Sequence, residues 1–192
     1  MAYASLSDLK AYVNVTDTTD DALLTGFLAT AEKVIDAFTR RRFEATADTT
    51  RYFHALDDVQ GRTLHLDKDL CAITSITNGD GVAVTAGQYT TLPKAETPYY
   101  ALKLLASSGV AWTYDDDPED AITIVGKWAF STSAPADVKH ATVRLAAFLY
   151  RQRDNSDAMA ERPFMSADGV LLLPSRLPMD VQELLMPYRK VL

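Results

Sequence analysis

The clearest pattern in the chain is a helical one that runs from Asp20 to Phe43. Its apolar residues recur at steps of one and three, which places them on one stripe of a helix: Leu23, Leu24, Phe27, Leu28, Ala31, Val34, Ile35 and Phe38. Asp20 and Asp21 lie in the predicted first turn, and Arg40 to Arg42 lie in the last, where they complement the helix dipole. The pattern predicts a long amphipathic helix whose apolar face needs partners.

Two further helices are predicted around this one. A short helix begins at Ser5, because Ser5 and Asp8 stand at capping-box spacing. Another runs from Pro135 to about Arg153, since proline suits a first turn, and its apolar face is Val138, Ala141, Leu145, Phe148 and Leu149. The short link between the first two helices predicts a hairpin. The helix after Pro135 is expected to pack on the long helix and complete a helical core.

Between residues 49 and 130 the pattern changes to short β-prone runs separated by turn residues. The runs are 50–56, 62–66, 72–77, 81–85, 88–92, 100–105, 110–114 and 121–130. The sequence NGDG at 78–81 predicts a hairpin turn, because these residues tolerate positive φ. We therefore predict an α+β protein with an antiparallel sheet or small barrel. Residues 1–48 and 131–155 form the helical core, and 49–130 form a β-rich insertion.

The C-terminal tail, residues 156–192, combines a polar stretch with strong apolar signals. Its apolar candidates are Val170, Leu171, Leu172, Leu173, Val181, Leu184, Leu185 and Tyr188. The run VLLL predicts an extra strand, and the segment after Pro178 predicts a short amphipathic helix. Two interpretations stay open: these elements fold back on the chain's own core, or they dock on a partner, as apolar helices do in grooves. The docking hypothesis predicts that a chain lacking 170–192 stays folded but loses its partner.

Composition narrows the classes of function. The chain has 192 residues and a formal net charge of −7, which argues against tight wrapping on nucleic acid. A single cysteine, Cys71, excludes an internal disulfide framework and is expected to be a small buried residue. No apolar run reaches the length of a membrane span, and the N-terminus has no pattern of a secretory signal. We therefore expect no membrane association.

Candidate catalytic chemistry is sparse. The sequence has no nucleophile elbow, no phosphate-binding glycine loop and no zinc-protease motif. His54 and His65 lie on predicted neighbouring strands with Asp57 and Asp58 nearby, but two histidines on a sheet are more often half-exposed strand residues. The acidic run 115–120 lacks the spaced ligands and the glycine of a calcium loop. We predict a protein that is not an enzyme and that uses no cofactor or metal.

Four pieces of the sequence, in their order and spacing, resemble the head–tail connector, or adaptor, proteins of long-tailed double-stranded DNA phages and related prophages. They are LKAY at 9–12, DDALL at 20–24 opening a helix that ends RRRF at 40–43, APADVKHA at 134–141 opening a helix that ends LYRQR at 149–153, and LP…VQELLMPYR at 177–189. The β-rich middle is longer than in the smallest, mostly helical members of that family.

The resemblance implies a structural virion protein of the head–tail junction, made in the host cytoplasm. In such phages the adaptor subunits form a homo-oligomeric ring, commonly a dodecamer, below the portal protein. The ring extends the channel through which double-stranded DNA passes without sequence-specific binding, and it receives a stopper or tail-completion protein. C-terminal segments of adaptors commonly dock on the portal. The alternative is a non-catalytic β-domain binding module for a protein or polymer, and a weaker third hypothesis is a small hydrolase with an unrecognised site.

Two charged clusters are candidates for contacts between subunits. The basic cluster is Arg40, Arg41 and Arg42, and the acidic cluster is Asp115, Asp116 and Asp117. The basic cluster either complements the helix dipole or meets an acidic loop of a neighbour through its guanidinium groups. The acidic cluster is either a solvated connection or faces such arginines or the channel.

Overall fold

The computed structural model describes residues 3–154, 164–165, 171–172 and 177–190. The helices within these residues are α1 (Leu6–Val13), α2 (Asp21–Thr39), α3 (Ala136–Asp154) and α4 (Met179–Leu185). The chain divides into two compact units. We call Met1–Arg40 together with Pro135–Leu192 the helical unit, and Arg41–Ala134 the β unit. The helices and the antiparallel sheets confirm the predicted α+β class.

The helical unit begins with a well-capped helix. The Ser5 hydroxyl accepts a hydrogen bond from the backbone N–H of Asp8 at 3.1 Å, and the Asp8 carboxylate accepts one from the N–H of Ser5 at 3.0 Å. This is the capping box that the sequence predicts. α1 ends at Val13, and the next residue, Asn14, has a left-handed backbone with φ 59°. Lys10 Nζ then lies 2.6 Å from an Asp21 carboxylate oxygen, which joins α1 to the first turn of α2.

α3 is the central element of the helical unit and packs against α1, α2 and α4. Its middle is buried on nearly every side, at Ala141, Thr142, Val143, Leu145, Ala146 and Ala147. A helix surrounded in this way is apolar around most of its circumference, while His140, Arg144 and Arg151 form a polar stripe along it. The one polar side chain among these six, that of Thr142, donates to the carbonyl of Val138 at 2.8 Å. The predicted packing of this helix on α2 is confirmed, but its burial extends beyond the single face that its sequence indicates.

α4 packs on the helical unit. Val181 and Leu185 are 1% and 0% exposed, whereas Leu184 and Tyr188 are half-buried. After α4, the N–H of Lys190 donates to the carbonyl of Thr39 at 2.9 Å, at the end of α2. Arg144 on α3 also forms an ion pair with Asp180 on α4. Two of the predicted docking side chains are therefore covered by the chain's own unit.

The β unit contains two antiparallel sheets. One has the strand order β1 (Thr49–Phe53), β7 (Ile122–Lys127), β4 (Ala72–Thr77), and the other has β2 (Val59–Gln60), β3 (Thr63–Leu70), β6 (Tyr99–Leu104), β5 (Tyr89–Leu92). Buried side chains from both sheets form one core, which includes Phe53, Leu64, Leu70, Ile76, Leu102, Leu104, Ile122, Ile124 and Trp128. β7 alternates buried and half-buried positions, as a strand with one covered face does.

Two of the predicted strands are wrong. The runs 81–85 and 110–114 form only isolated bridges to residues at and just after the end of β4. Asn78 holds the second run in place: its Nδ2 donates to the carbonyl of Ala111 at 3.0 Å, and its Oδ1 accepts from the N–H of Thr113 at 3.2 Å. A side chain that satisfies the backbone groups takes the place of a strand ladder there. β2 was not predicted, because a strand of two residues is too short to show an alternating pattern in the sequence.

In the tail, β8 (Phe164–Met165) pairs antiparallel with β9 (Leu171–Leu172). The strand predicted for the VLLL run is therefore present at its two central residues. Val170 and Leu173 lie outside the described residues. Among the helices in the described part of the chain, none is both long enough and apolar enough to cross a membrane.

Candidate interaction sites

The basic cluster lies beyond α2, so its predicted place in the last helical turn is wrong. α2 ends at Thr39, whose buried hydroxyl donates to the carbonyl of Ile35 at 2.7 Å. Arg40 is the residue after the helix and has a left-handed backbone with φ 57°. A left-handed residue at this position turns the chain away from the helix axis. Arg41 and Arg42 therefore begin the β unit instead of complementing the dipole of α2.

Arg41 is held inside the β unit. Its Nη1 lies 2.6 Å from a carboxylate oxygen of Asp69, and the Asp69 side chain is 8% exposed. The guanidinium also lies over the ring of Phe130, 5.7 Å from its centre. A buried carboxylate is costly without a cation, so Arg41 has a structural role as the partner of Asp69.

The other two arginines are exposed. Arg42 Nε donates to the carbonyl of Glu44 at 3.1 Å. Within the described residues, neither Arg40 nor Arg42 forms an ion pair. Their charges are therefore accessible to another molecule.

We call residues 115–120 the acidic loop, and it is anchored near both ends. Tyr114 bridges to Gly79, and the carbonyl of Pro118 accepts from the N–H of Ala55 at 2.8 Å. The three aspartates at 115–117 are exposed. None of the three forms an ion pair within the described residues. A loop fixed in this way presents its carboxylates to a partner at a lower entropic cost than a flexible one.

His54 closes a turn instead of standing on a strand. It follows β1, and its Nδ1 accepts hydrogen bonds from the N–H groups of Leu56 and Asp57, both at 3.1 Å. His65 is an exposed residue of β3, in the other sheet. In the part of the chain that the structure describes, no group of three or more histidine, cysteine or carboxylate side chains could hold a metal ion.

Cys71 is buried, as predicted for a small apolar residue, and packs with Ala45 and Ala129. Its thiol donates to the carbonyl of Lys127 at 3.3 Å. Burial raises the pKa of the Cys71 thiol. This environment disfavours the thiolate that a nucleophile requires.

The sequence reasoning missed a concave surface along α3. A hollow of about 470 Å³ lies between α1 and the start of α3, where Tyr12 faces Lys139 and His140. A second hollow of about 150 Å³ shares Tyr12 and lies between the end of α3 and α4, where it is lined by Phe148 and Arg151. We call these two hollows the α3 groove. Its signal in the sequence is the spacing of His140, Arg144 and Arg151, whose steps of four and seven place them on one helical face.

Two ion pairs border the α3 groove. Lys139 Nζ lies 2.9 Å from a carboxylate oxygen of Asp8, and Arg144 pairs with Asp180. The hydrogen bond from the Ser5 hydroxyl, followed by the bond from Lys139, lowers the pKa of Asp8 to about 2. The ion pairs therefore fix α1 and α4 against α3 on either side of the groove.

Two cationic or titratable side chains of the groove remain accessible. His140 and Arg151 are exposed, and neither forms an ion pair within the described residues. The His140 ring meets Tyr12 edge to face, with 6.5 Å between the ring centres. The groove thus combines accessible donors with apolar walls.

Comparison with known proteins agrees with the resemblance in the sequence. Residues 3–68, about a third of the chain, match the family model described as "Phage gp6-like head-tail connector protein". This match confirms the resemblance to head–tail connector proteins. A search of curated protein sequences finds no match.

Solved structures share the fold over nearly the whole chain. One, described as the neck of an empty GTA particle computed with C6 symmetry, gives a TM-score of 0.61 at 17% identity, covering 98% of this chain and 90% of that one. A second, described as the neck of a native GTA particle computed with C12 symmetry, gives a TM-score of 0.59 at 17% identity, covering 97% of this chain and 88% of that one. A third, described as the virion of a native gene transfer agent (GTA) particle, gives a TM-score of 0.58 at 19% identity, covering 98% of this chain and 90% of that one.

Proposed function

We propose that this chain is a structural adaptor subunit at the neck of a phage-like particle. Copies of it form a ring below the portal that extends the DNA channel and receives the next neck or tail component. The observation that carries the proposal is the fold shared with GTA neck chains over 98% of this chain and 90% of the matched one. The connector-family match at residues 3–68 supports it independently from sequence.

The charge of the chain suits a channel component. Residues 41–134 hold 8 Lys and Arg and 13 Asp and Glu, so the β unit has a formal charge of 8 − 13 = −5 out of the total of −7. A surface with excess negative charge repels the phosphate backbone, so DNA passes without adhering. A mechanical role of this kind needs no cofactor and no catalytic residue.

The C-terminal tail is the proposed portal-docking segment. Val181 and Leu185 attach α4 to the helical unit, while Met179 and Met186 are 77% and 55% exposed. Methionine is unbranched and adaptable, and it is frequent on protein-binding surfaces. We propose that Met179 of α4 and Met186, the residue directly after α4, dock on the portal, together with half-buried Leu184 and with the run at 170–173.

The proposal is tested by mixing the purified full chain with portal particles of the same phage. Native mass spectrometry and electron microscopy should show a closed ring seated on the portal, with twelve copies if the ring follows C12 symmetry. A folded chain that stays monomeric and does not bind the portal would overturn the adaptor role. Binding to an unrelated protein or polymer by residues 41–134 would favour the β-domain module instead.

The docking segment has its own test. The double substitution Met179→Asp and Met186→Asp should abolish portal binding, because it places two carboxylates on the exposed side of α4. The far-ultraviolet circular dichroism should stay unchanged, since both side chains are exposed. Val82→Asp is the matched control, since Val82 is 60% exposed in the β unit. Full portal binding by the double variant would exclude the exposed side of α4 as the docking surface.

A further inference from the structure

The acidic loop presents an aromatic residue together with its carboxylates. Tyr114, the residue directly before the loop, is 36% exposed, and the aspartates at 115–117 that follow are exposed. The bridge to Gly79 and the bond to Ala55 hold this segment at both ends. A partner for it therefore needs an apolar hollow for a ring and cations at the rim.

The α3 groove offers this complementary chemistry. Its walls include Tyr12 and Phe148, and its accessible polar groups are His140 and Arg151. Arginine binds carboxylates through two parallel N–H groups and also stacks on aromatic rings. The loop and the groove thus match in both charge and apolar character.

A closed ring requires two complementary patches on the same chain. Each subunit in a cyclic ring meets its neighbours through two different surfaces, because the contact is head-to-tail. The acidic loop belongs to the β unit and the α3 groove to the helical unit, so one chain carries both. A second copy of this chain is therefore an occupant for the groove.

We propose that the acidic loop of one copy docks in the α3 groove of the next copy. Tyr114 packs against Tyr12 and Phe148, and the aspartates at 115–117 meet Arg151 and His140. The contact rests on the ring proposed above. Arg40 and Arg42 are competing partners for the carboxylates of the loop, because both are exposed cations.

Charge reversal on each side gives the test. The groove variant carries His140→Glu and Arg151→Glu, and the loop variant carries Asp115→Lys and Asp117→Lys. None of these four side chains forms an ion pair within the described residues, so both variants should fold, as checked by circular dichroism. Each variant alone should assemble at least about tenfold more weakly than wild type, because like charges then meet at every contact. Assembly is measured by native mass spectrometry, with and without portal particles.

Mixing separates this contact from a general loss of assembly. In an equimolar mixture the lysines of one variant meet the glutamates of the other, so rings of alternating subunits should form. A chain carrying all four substitutions should also assemble, since its reversed loop fits its reversed groove. The proposed contact is wrong if the groove variant or the loop variant alone assembles as well as wild type. It is also wrong if assembly returns neither in the mixture nor in the four-substitution chain.

The basic cluster provides a matched control. Arg40→Glu with Arg42→Glu reverses two exposed charges outside the groove, and this variant should assemble like wild type. Loss of assembly in this control together with normal assembly of the groove variant would assign the loop to the arginines instead. If the wild-type chain forms no ring either alone or on portals, the adaptor ring itself is wrong. If wild type forms rings and the groove variant forms them equally well, the proposed contact is wrong but the adaptor ring is not.

Discussion

The helical unit and the β unit are built from the chain in different ways. The helical unit combines the two ends of the sequence: Tyr150 near the end of α3 donates to Asp20 before α2, 130 positions away, at 2.6 Å. The β unit is one continuous segment, Arg41–Ala134. The helical unit therefore depends on both halves of the chain being present, whereas the β unit has all of its core residues in one stretch.

The two units also use charge differently. In the helical unit the ion pairs of Lys10 with Asp21 and of Lys139 with Asp8 join helices at partly exposed positions. The β unit also has a partly exposed pair, that of Arg51 with Asp67, but its pair of Arg41 with Asp69 includes a carboxylate that is nearly buried. Exposed pairs contribute up to about 1 kcal/mol, whereas loss of one partner of a buried pair costs several times more. The units should accordingly respond differently to the loss of a charge.

The stability of each unit can be followed separately. Both tryptophans of the chain, Trp112 and Trp128, belong to the β unit, so tryptophan fluorescence reports on that unit. The four α-helices of the described residues belong to the helical unit, so circular dichroism at 222 nm reports mainly on it. Urea unfolding followed by the two signals shows which unit a substitution destabilises.

The largest expected effect is in the helical unit. Leu185→Ala should lower its free energy of unfolding by about 2–5 kcal/mol, because the side chain is fully buried and its removal leaves a cavity. Met186→Ala is the control, since the Met186 side chain is 55% exposed. This substitution should change the free energy of unfolding by less than about 0.5 kcal/mol. Equal effects of the two substitutions would show that α4 does not belong to the core of the helical unit.

The next effect tests the buried charge of the β unit. Arg41→Ala should lower the free energy of unfolding by about 2–3 kcal/mol, because Asp69 stays buried without its cation. The fluorescence transition should move to lower urea, while Arg42→Ala should leave it nearly unchanged, since Arg42 is exposed. If the two alanine variants unfold at the same urea concentration, the pair of Arg41 with Asp69 does not stabilise the β unit.

A glycine in β7 tests how closely the strands of the β unit pack. A Cβ at Gly126 would lie 2.3 Å from the carbonyl oxygen of Ala72 and 3.0 Å from Leu70 Cδ1. Gly126→Ala should therefore cost about 1–3 kcal/mol in the fluorescence transition, as overpacking does. Gly87→Ala is the control, because nothing lies within 4 Å of its added Cβ. A Gly126→Ala variant as stable as wild type would mean that β4 and β7 separate without cost.

The helices were more predictable from the sequence than the strands. Local chemistry decides where a helix begins, and the capping box of Ser5 and Asp8 could be recognised from spacing alone. The run 110–114 has strand-like residues, but the side chain of distant Asn78 decides its structure. Such a long-range bond leaves no local periodicity, so it could not be read from the sequence.

The candidate sites show the same limit. The exposed acidic loop was recognisable from composition, because a run of carboxylates avoids the core. The separate role of Arg41 was not, since its partner Asp69 is 28 positions away and becomes visible only when the β unit is folded. The α3 groove depends on α1 and α4 meeting the same helix, and a pattern within α3 alone indicates only which face its cations share.

The smallest expected effect concerns the capping carboxylate of α1 and gives a dependence on pH. The pKa of Asp8 is lowered from 3.8 to about 2 by its bonds to Ser5 and then Lys139, so the ionised carboxylate stabilises the folded helical unit. That contribution is fully present above pH 3.8 and is lost as the pH falls towards 2. Because the Asp8 side chain is 35% exposed, solvent screening limits it to about 0.5 kcal/mol.

Asp8→Asn should therefore destabilise the 222 nm transition at pH 6, and the difference from wild type should shrink between pH 4 and pH 2. Asp117→Asn is the control, since that aspartate is exposed in the acidic loop, and it should leave the helical unit unchanged. The tryptophan signal should stay the same in both variants. A deficit of Asp8→Asn that persists undiminished at pH 2, or that appears in the fluorescence of the β unit, would show that the carboxylate's charge does not stabilise α1.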